Sequence, residues 1–274
     1  MDDIQSHTIH NPLIPSAQHM QALLGAFSPI HLSEMNDVTL LNRVDTKYML
    51  GVSQLEGLLP QLLAHYQILE IGGLRLNHYQ TLYFDTPDFM LYQQHHNGLT
   101  PRYKVRARKY VESDLTFFEV KHKTNQKRTI KSRLQIPDFI QQIDAPIGHF
   151  VGNYTPLTPQ QLEPKLWNHY QRLTLVSKSP AERVTIDLNL AFEWEERAYC
   201  LPQLAVIEVK TNAFSRHSKI IQLMRQSGIY PTSFSKYCAG VWSLYEGAKV
   251  NNFKSQIIKV NKLVQKEIHH AHLH

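Results

Sequence analysis

Residues 101–133 read PRYKVRARKYVESDLTFFEVKHKTNQKRTIKSR. Arg102, Lys104, Arg106 and Arg108 stand on every second position of the first segment; Glu119, Lys121 and Lys123 repeat that spacing, and Lys127, Lys131 and Arg133 follow on one parity. Successive side chains of a β-strand point to opposite faces, so each set gathers on one side of its strand. Three neighbouring strands of this kind share one densely cationic face. Crowded cations are costly unless water or a polyanion compensates them, and Arg and Lys suit the non-bridging oxygens of phosphate chains. The expected ligand is a polyphosphate-like anion.

The chain has 274 residues, 42% hydrophobic and 19% charged, which describes a soluble globular protein of one large domain or two small ones. No stretch approaches the roughly 20 apolar residues that span a bilayer. The start, MDDIQSHTIHNPL, lacks the charged and apolar regions of a secretory signal. The expectation is a cytoplasmic protein without direct membrane insertion, any membrane association running through a membrane-protein partner. Cys200 and Cys238 are far apart and form no CxxC, so two buried reduced thiols are expected. A net charge of +6 and a pI near 9.2 favour acidic partners, and by themselves fit nucleic acid, anionic lipid or phosphate substrates equally.

Working outward, Arg43–Leu50 reads as a strand and residues 53–68 as a helix, with Ser53 and Glu56 as a capping box and Leu55, Leu58, Leu59, Leu62 and Leu63 as its apolar stripe. Tyr79–Phe84 is a strand closed by the turn Asp85-Thr86-Pro87-Asp88. Residues 137–165 carry few strong patterns apart from Thr158-Pro159, a helix-start signal. Strands return at residues 170–176, 183–192 and 204–210, helices at 215–227 and 234–245. The last stretch, from Gly247, reads as a basic, frayed or amphipathic tail ending in histidines that could capture metal loosely.

About eight strands with charge on one face and apolar residues on the other exceed what an open, one-sided sheet requires. Closure into a barrel removes exposed edges and turns the charged face toward a polar lumen, while the apolar face packs on helices. The expected fold is α+β: a closed antiparallel eight-stranded β tunnel with helices outside. The alternative is an ordinary antiparallel sheet with its cations in solvent.

The chain resembles the VTC-type polyphosphate polymerase domain, a branch of the CYTH-like triphosphate tunnel metalloenzymes. The matching segments are Arg43-Val44-Asp45-Thr46-Lys47-Tyr48, Tyr103-Lys104-Val105-Arg106-Ala107-Arg108, Phe118-Glu119-Val120-Lys121-His122-Lys123, Lys131-Ser132-Arg133, Tyr170-Gln171-Arg172, Arg183-Val184-Thr185-Ile186-Asp187, Ile207-Glu208-Val209-Lys210 and Phe234-Ser235-Lys236-Tyr237. They run in the family's order from about residue 40 to 245, giving an N-terminal segment with a short helix (1–35), a tunnel domain (36–246) and a basic tail (247–274). The resemblance implies a metal-dependent transfer of the terminal phosphoryl group of ATP onto polyphosphate, with ADP released. It implies Lys47, Arg106, Arg108, Lys123, Arg172, Arg183 and Lys236 as catalytic cations, Lys131, Tyr170 and Ser235 as substrate contacts, and Glu208 as ligand of Mn²⁺ or Mg²⁺. Pyrophosphate is a further implied ligand. One departure stands out: eukaryotic members tend to have Lys three residues before the final Lys, where this chain has Ser233.

Each assignment has a plainer counterpart. Glu208 could pair with Lys210 or a lumen arginine, Glu119 with Lys121 or Lys123, Tyr170 could be a packed aromatic, and Ser235 could cap the helix that carries Lys236. A tunnel-type triphosphatase or short-chain polyphosphatase needs the same clamps as a polymerase, and a non-catalytic polyphosphate or nucleotide sensor needs binding alone. Nucleic acid is not expected, because the sequence has no zinc-finger spacing or RNA-recognition motif and its aromatics do not interleave with the basic positions. GxxxxGK[ST], the kinase loop set and GxGxxG are also absent from the sequence.

Overall fold

The computed structural model describes residues 17–37, 44–126, 128–177, 181–211 and 217–271. In chain order the elements are α1 (Ala17–Gly25), β1 (Ser28–His31), β2 (Val44–Gly51), α2 (Val52–Leu58), β3 (Tyr66–Glu70), β4 (Asn77–Asp85), α3 (Met90–His96), β5 (Arg102–Tyr110), β6 (Leu115–Lys123) and β7 (Thr129–Ile136). The second half contains α4 (Ala145–Tyr154), β8 (Glu163–Ser177), β9 (Glu182–Trp194), β10 (Arg197–Leu201), β11 (Leu204–Thr211), α5 (Lys219–Gln226), α6 (Lys236–Leu244) and α7 (Lys254–Ala271).

Eight strands follow one ladder, β2-β11-β9-β8-β4-β5-β6-β7, and every neighbouring pair along it is antiparallel. Three more strands flank it: β3 pairs with β8 and with β1, the latter in parallel, and β10 pairs with β9. The expected closure is not found. Among the described residues no ladder joins β7 to β2, and the sheet has 11 strands rather than eight. Thr129, Ile130 and Lys131 at the start of β7 are exposed in succession, as an edge strand with both faces open would be.

The sheet nevertheless curls. Flat, it would hold β2 and β5, five steps apart, roughly 24 Å from each other. Yet the backbone N–H of Thr232 donates to Lys47 O on β2 at 2.8 Å, and Ser235 Oγ accepts from Lys104 Nζ on β5 at 3.0 Å. Three residues reach at most about 11 Å, so even with a lysine side chain added β2 and β5 must approach across a trough.

The period-two pattern decides which face is concave. Leu173, Leu175, Val184, Ile186, Ala205, Ile207, Tyr48 and Leu50 pack outward beneath α1, α2 and α5. On the β4–β5–β6 side Leu82, Phe84, Val105, Ala107, Phe118 and Val120 pack with Ile147, Phe150 and Val151 of α4. The alternate positions face inward.

Several local expectations change. The helix expected over 53–68 stops early: α2 passes into a 3₁₀ turn at Leu59–Leu62, where Pro60 cannot donate a helical hydrogen bond, and Tyr66–Glu70 is a strand. Ser53 is not its cap; its N–H and Oγ both donate to Glu267 of α7, at 2.9 and 2.6 Å. That carboxylate lies so close to Gly51 that a Cβ there would sit 1.9 Å from Glu267 Oε1. The stretch expected to be a frayed or amphipathic tail is thus an 18-residue helix whose Val260 and Glu267 are buried. Within 137–165, α4 was not anticipated, and Thr158-Pro159 opens only a 3₁₀ turn. Cys238 is buried, but Cys200 is exposed because it lies on the flanking strand β10. Residues 1–16, Arg43, Lys127, Ser215 and the last three residues fall outside the described ones.

Candidate functional site: a cation-lined trough

The inner face gathers cations from most of the ladder and from one helix, and three carboxylates divide part of them. Glu119, fully buried on β6, accepts from Arg106 Nε at 2.7 Å and Nη2 at 2.6 Å and contacts Lys131 from β7. Burial alone would raise this carboxyl, but Arg106, Arg108 and Lys131 hold it well below the usual carboxylate range. Asp187 on β9 accepts from Arg172 Nε at 2.5 Å and Nη2 at 2.8 Å, from its register partner on β8, and contacts Lys236. It too is driven below its ordinary value, burial being overcome by Arg172 and Lys236. Glu208 on β11 lies 2.8 Å from Lys47 Nζ on β2 and contacts Lys210.

A second set of cations has no carboxylate within ion-pair distance among the described residues. Lys104 and Lys121 face each other in register across β5 and β6, and Lys121 faces Lys131 across β6 and β7. Like charges directly opposite destabilise a sheet. The consequence is visible in their protonation. Burial, reinforced by Arg106, Lys47 and Arg102 and opposed by Cys238, pushes the Lys104 ammonium down to about 8. Lys121 is held well below the ordinary lysine value, chiefly by Arg106, then by burial, Arg108 and Lys104. Arg108 donates from Nε to Thr81 Oγ1 at 3.2 Å and has no acid partner in the same sense.

Aromatic rings line the same face, contrary to the sequence expectation. Tyr79 and Tyr170 stack with centroids 5.0 Å apart; the Arg108 guanidinium lies 5.8 Å from each, Arg172 4.9 and 5.4 Å away, and Lys236 4.5 Å from Tyr170. Register, not sequence adjacency, interleaves them: Tyr79 pairs with Tyr170 across β4 and β8. The Tyr170 ring is packed, and its OH is buried with no hydrogen-bond partner among the described residues.

The start of α6 completes the site. Ser235 is its cap, accepting from Cys238 N at 3.2 Å, and directs Lys236 inward; burial, aided by Arg172 and offset by Asp187, brings the Lys236 ammonium down to about 8. Tyr237 donates to buried Asp85, whose carboxylate also accepts from Leu91 N and Tyr92 N at 2.8 Å each, which locks α6 to β4 and α3. Lys123 and Arg183 lie on the inward parity of β6 and β9, opposite Arg102 and Lys210 respectively. Lys104 and Lys121 belong to the pattern read from sequence, yet their lack of acid partners could be found only in three dimensions.

Among the described residues no group of three His, Cys, Asp or Glu side chains is placed to hold a metal. Glu208 offers one carboxylate, already shared by two lysines. That donor set fits Mg²⁺ or Mn²⁺ only in the manner common for nucleotide sites, with one protein carboxylate and substrate phosphates supplying oxygens together.

The site is thus a curled antiparallel sheet with an inward cationic face, helices on its outside and a helix start that feeds a lysine into the trough. The chain belongs to the VTC domain family, whose model matches residues 42–245. Among solved structures it is similar to a candidate adenylate cyclase from Bacillus halodurans, at 12% identity and TM-score 0.46 over 71% of this chain and 96% of that one. It is also similar to HpAC1 from Hippeastrum, a candidate adenylyl cyclase with a dominant triphosphatase activity, at 14% identity and TM-score 0.49 over 75% and 98%. Comparison with curated proteins returns no match. Among the described residues no helix is long and apolar enough to cross a membrane.

Proposed function

We propose that the protein is a polyphosphate polymerase that moves the terminal phosphoryl group of ATP onto a growing phosphate chain held in the trough. The observation that carries the reading is the register-paired Lys104 and Lys121 beside Arg108, half-buried lysines with no carboxylate within ion-pair distance among the described residues, an array that a polyanion would neutralise. Family membership supports phosphate chemistry, and the resemblance described above supports elongation.

Phosphoryl transfer asks mainly for alignment and for charge on the equatorial oxygens. Arg108 supplies a planar donor set, and Lys121 and Lys236 supply point charges. Arg106 has its Nε edge committed to Glu119, so it aligns β5 with β6 and offers only the Nη1 side to a phosphate. The Tyr170 hydroxyl would donate to a phosphate oxygen, and the stacked Tyr79–Tyr170 pair walls the channel. Glu208 would hold a divalent metal jointly with the nucleotide, the metal neutralising phosphate oxygens and Lys47 and Lys210 holding the carboxylate in place. Attachment to a membrane protein remains part of this proposal, as does the site in the cytoplasm.

Incubation with ATP and Mn²⁺ should yield long phosphate polymers and ADP; release of free phosphate alone would reject polymerisation in favour of the triphosphatase. Glu208→Gln should abolish turnover while leaving tripolyphosphate bound. A wild-type protein that binds without ever turning over would be a sensor.

The depressed lysines set a pH dependence. Lys104 and Lys236 lose their charge around pH 8 rather than above 10, so anion affinity should fall between pH 7 and 9. Tripolyphosphate titrations across that range check it. Lys236→Arg should flatten the fall, and an affinity that is level through pH 9 in the wild type would contradict the assignment.

A further inference from the structure

The family resemblance leaves a gap at residue 233, where a serine stands in place of a lysine. Ser233 Oγ is turned away from any such role: it accepts from Gln256 Nε2 of α7 at 2.7 Å, and residue 233 is exposed. Two residues on, Ser235 receives a cation from another element altogether, Lys104 Nζ of β5, at 3.0 Å. The two residues are 131 positions apart in the chain.

We propose that Lys104 is the phosphate-binding cation at the α6 end of the trough, delivering from β5 the charge that position 233 does not carry, and that its ligand is a phosphoryl group of a condensed phosphate. The inference rests on the phosphate-channel reading and assigns within it a residue outside the set implied by the resemblance.

The surroundings of Lys104 carry it. The groups around its ammonium include Lys47 on β2, Arg102 and Arg106 on β5, Lys121 on β6, His95 on α3, Ser235 at the cap of α6 and Cys238 on α6. No carboxylate lies within ion-pair distance of it among the described residues. A lysine serving only stability would be poorly placed here, since these neighbours include four cations and no anion. A phosphate oxygen beside it reverses the sign of the local interaction, and α6, nine residues long, points its N–H end toward the same place. Ser235 accepts in both of its bonds, so its hydroxyl proton is free to donate to the same phosphoryl group.

The test is binding of inorganic tripolyphosphate to the full chain by calorimetry, without metal or nucleotide, so that turnover plays no part. Lys104→Met should weaken binding roughly tenfold or more, the usual effect of losing a charge-assisted hydrogen bond, and Lys104→Arg should retain most of it. Thermal melting of each variant distinguishes lost binding from lost folding. Should Lys104→Met misfold, Lys104→Gln serves in its place. Unchanged affinity in folded Lys104→Met overturns the inference while leaving the channel intact. If the wild type itself binds no tripolyphosphate, the channel reading fails first.

Discussion

Arg106→Met is expected to destabilise the fold by about 3–5 kcal/mol, the ordinary cost of removing one partner of a buried ion pair. The reason lies in what remains. Glu119 is fully buried and would keep as its direct ion-pair partner Lys131, which reaches it from the exposed edge strand β7, with Arg108 acting from farther away. Urea unfolding of the two proteins measures the difference. The double variant Arg106→Met/Glu119→Met should recover most of the loss, because a buried pair replaced by apolar groups of similar size costs little. The acid limb should move as well. A carboxyl held below its ordinary value contributes stability that is fully present above the unfolded-state value of about 4.3, and that contribution fades as pH falls toward the folded-state value. Arg106→Met should therefore unfold at higher pH than the wild type on acidification. Equal stability of Arg106→Met and wild type would remove the structural role assigned to this pair.

Arg108→Met should behave in the opposite way, although it sits two residues along the same strand on the same face. Among the described residues Arg108 has no carboxylate within ion-pair distance, and it lies among Lys121, Arg106 and the Tyr79–Tyr170 stack. Its removal relieves repulsion with Lys121 and gives up a weaker attraction to Glu119, so the melting temperature should stay roughly level. Turnover of ATP into polymer should fall by about 10²–10³, as when a preorganised donor to developing charge is lost. Tripolyphosphate binding should weaken in parallel. A destabilised Arg108→Met that retained full binding would mean that the two arginines had been given each other's roles.

Sites of this kind separate into cations that hold the scaffold and cations held in reserve for the ligand, and only the second group reports on function. Arg172 and Lys236 are tied to Asp187, Arg106 and Lys131 to Glu119, Lys47 and Lys210 to Glu208. Substitution of any of these mixes lost binding with the exposure of an unpaired carboxylate. Lys104, Lys121 and Arg108 offer the cleaner experiments.

α7 adds support from beyond the residues that the family model matches. Glu267 holds the start of α2, which directly follows β2, while Gln256 holds the turn leading to Ser235 and Lys236. The tail read as frayed or amphipathic is a strap across the two elements that bring Lys47 and Lys236 together. Its pattern in sequence, basic and weakly apolar, resembles that of a solvated tail because the single buried carboxylate that anchors it is indistinguishable from a surface glutamate.

Parity is legible in the chain alone. Alternation places Arg102, Lys104, Arg106 and Arg108 on one side of β5 and Val105 and Ala107 on the other, since the geometry of a strand is local and needs no partner. The short helix after β2 was misjudged in length because leucines at helical spacing continue into a strand, and tertiary pairing with β8 overrode them at Tyr66. Which charges meet depends on the folded arrangement. Arg172 with Asp187, Tyr79 with Tyr170 and Lys104 with Ser235 are joined by register and by the curl of the sheet, across 15, 91 and 131 positions of chain. Electrostatic energy depends on those separations in space, so the same set of lysines and arginines divides into paired and unpaired members only once the ladder has fixed each one's neighbours.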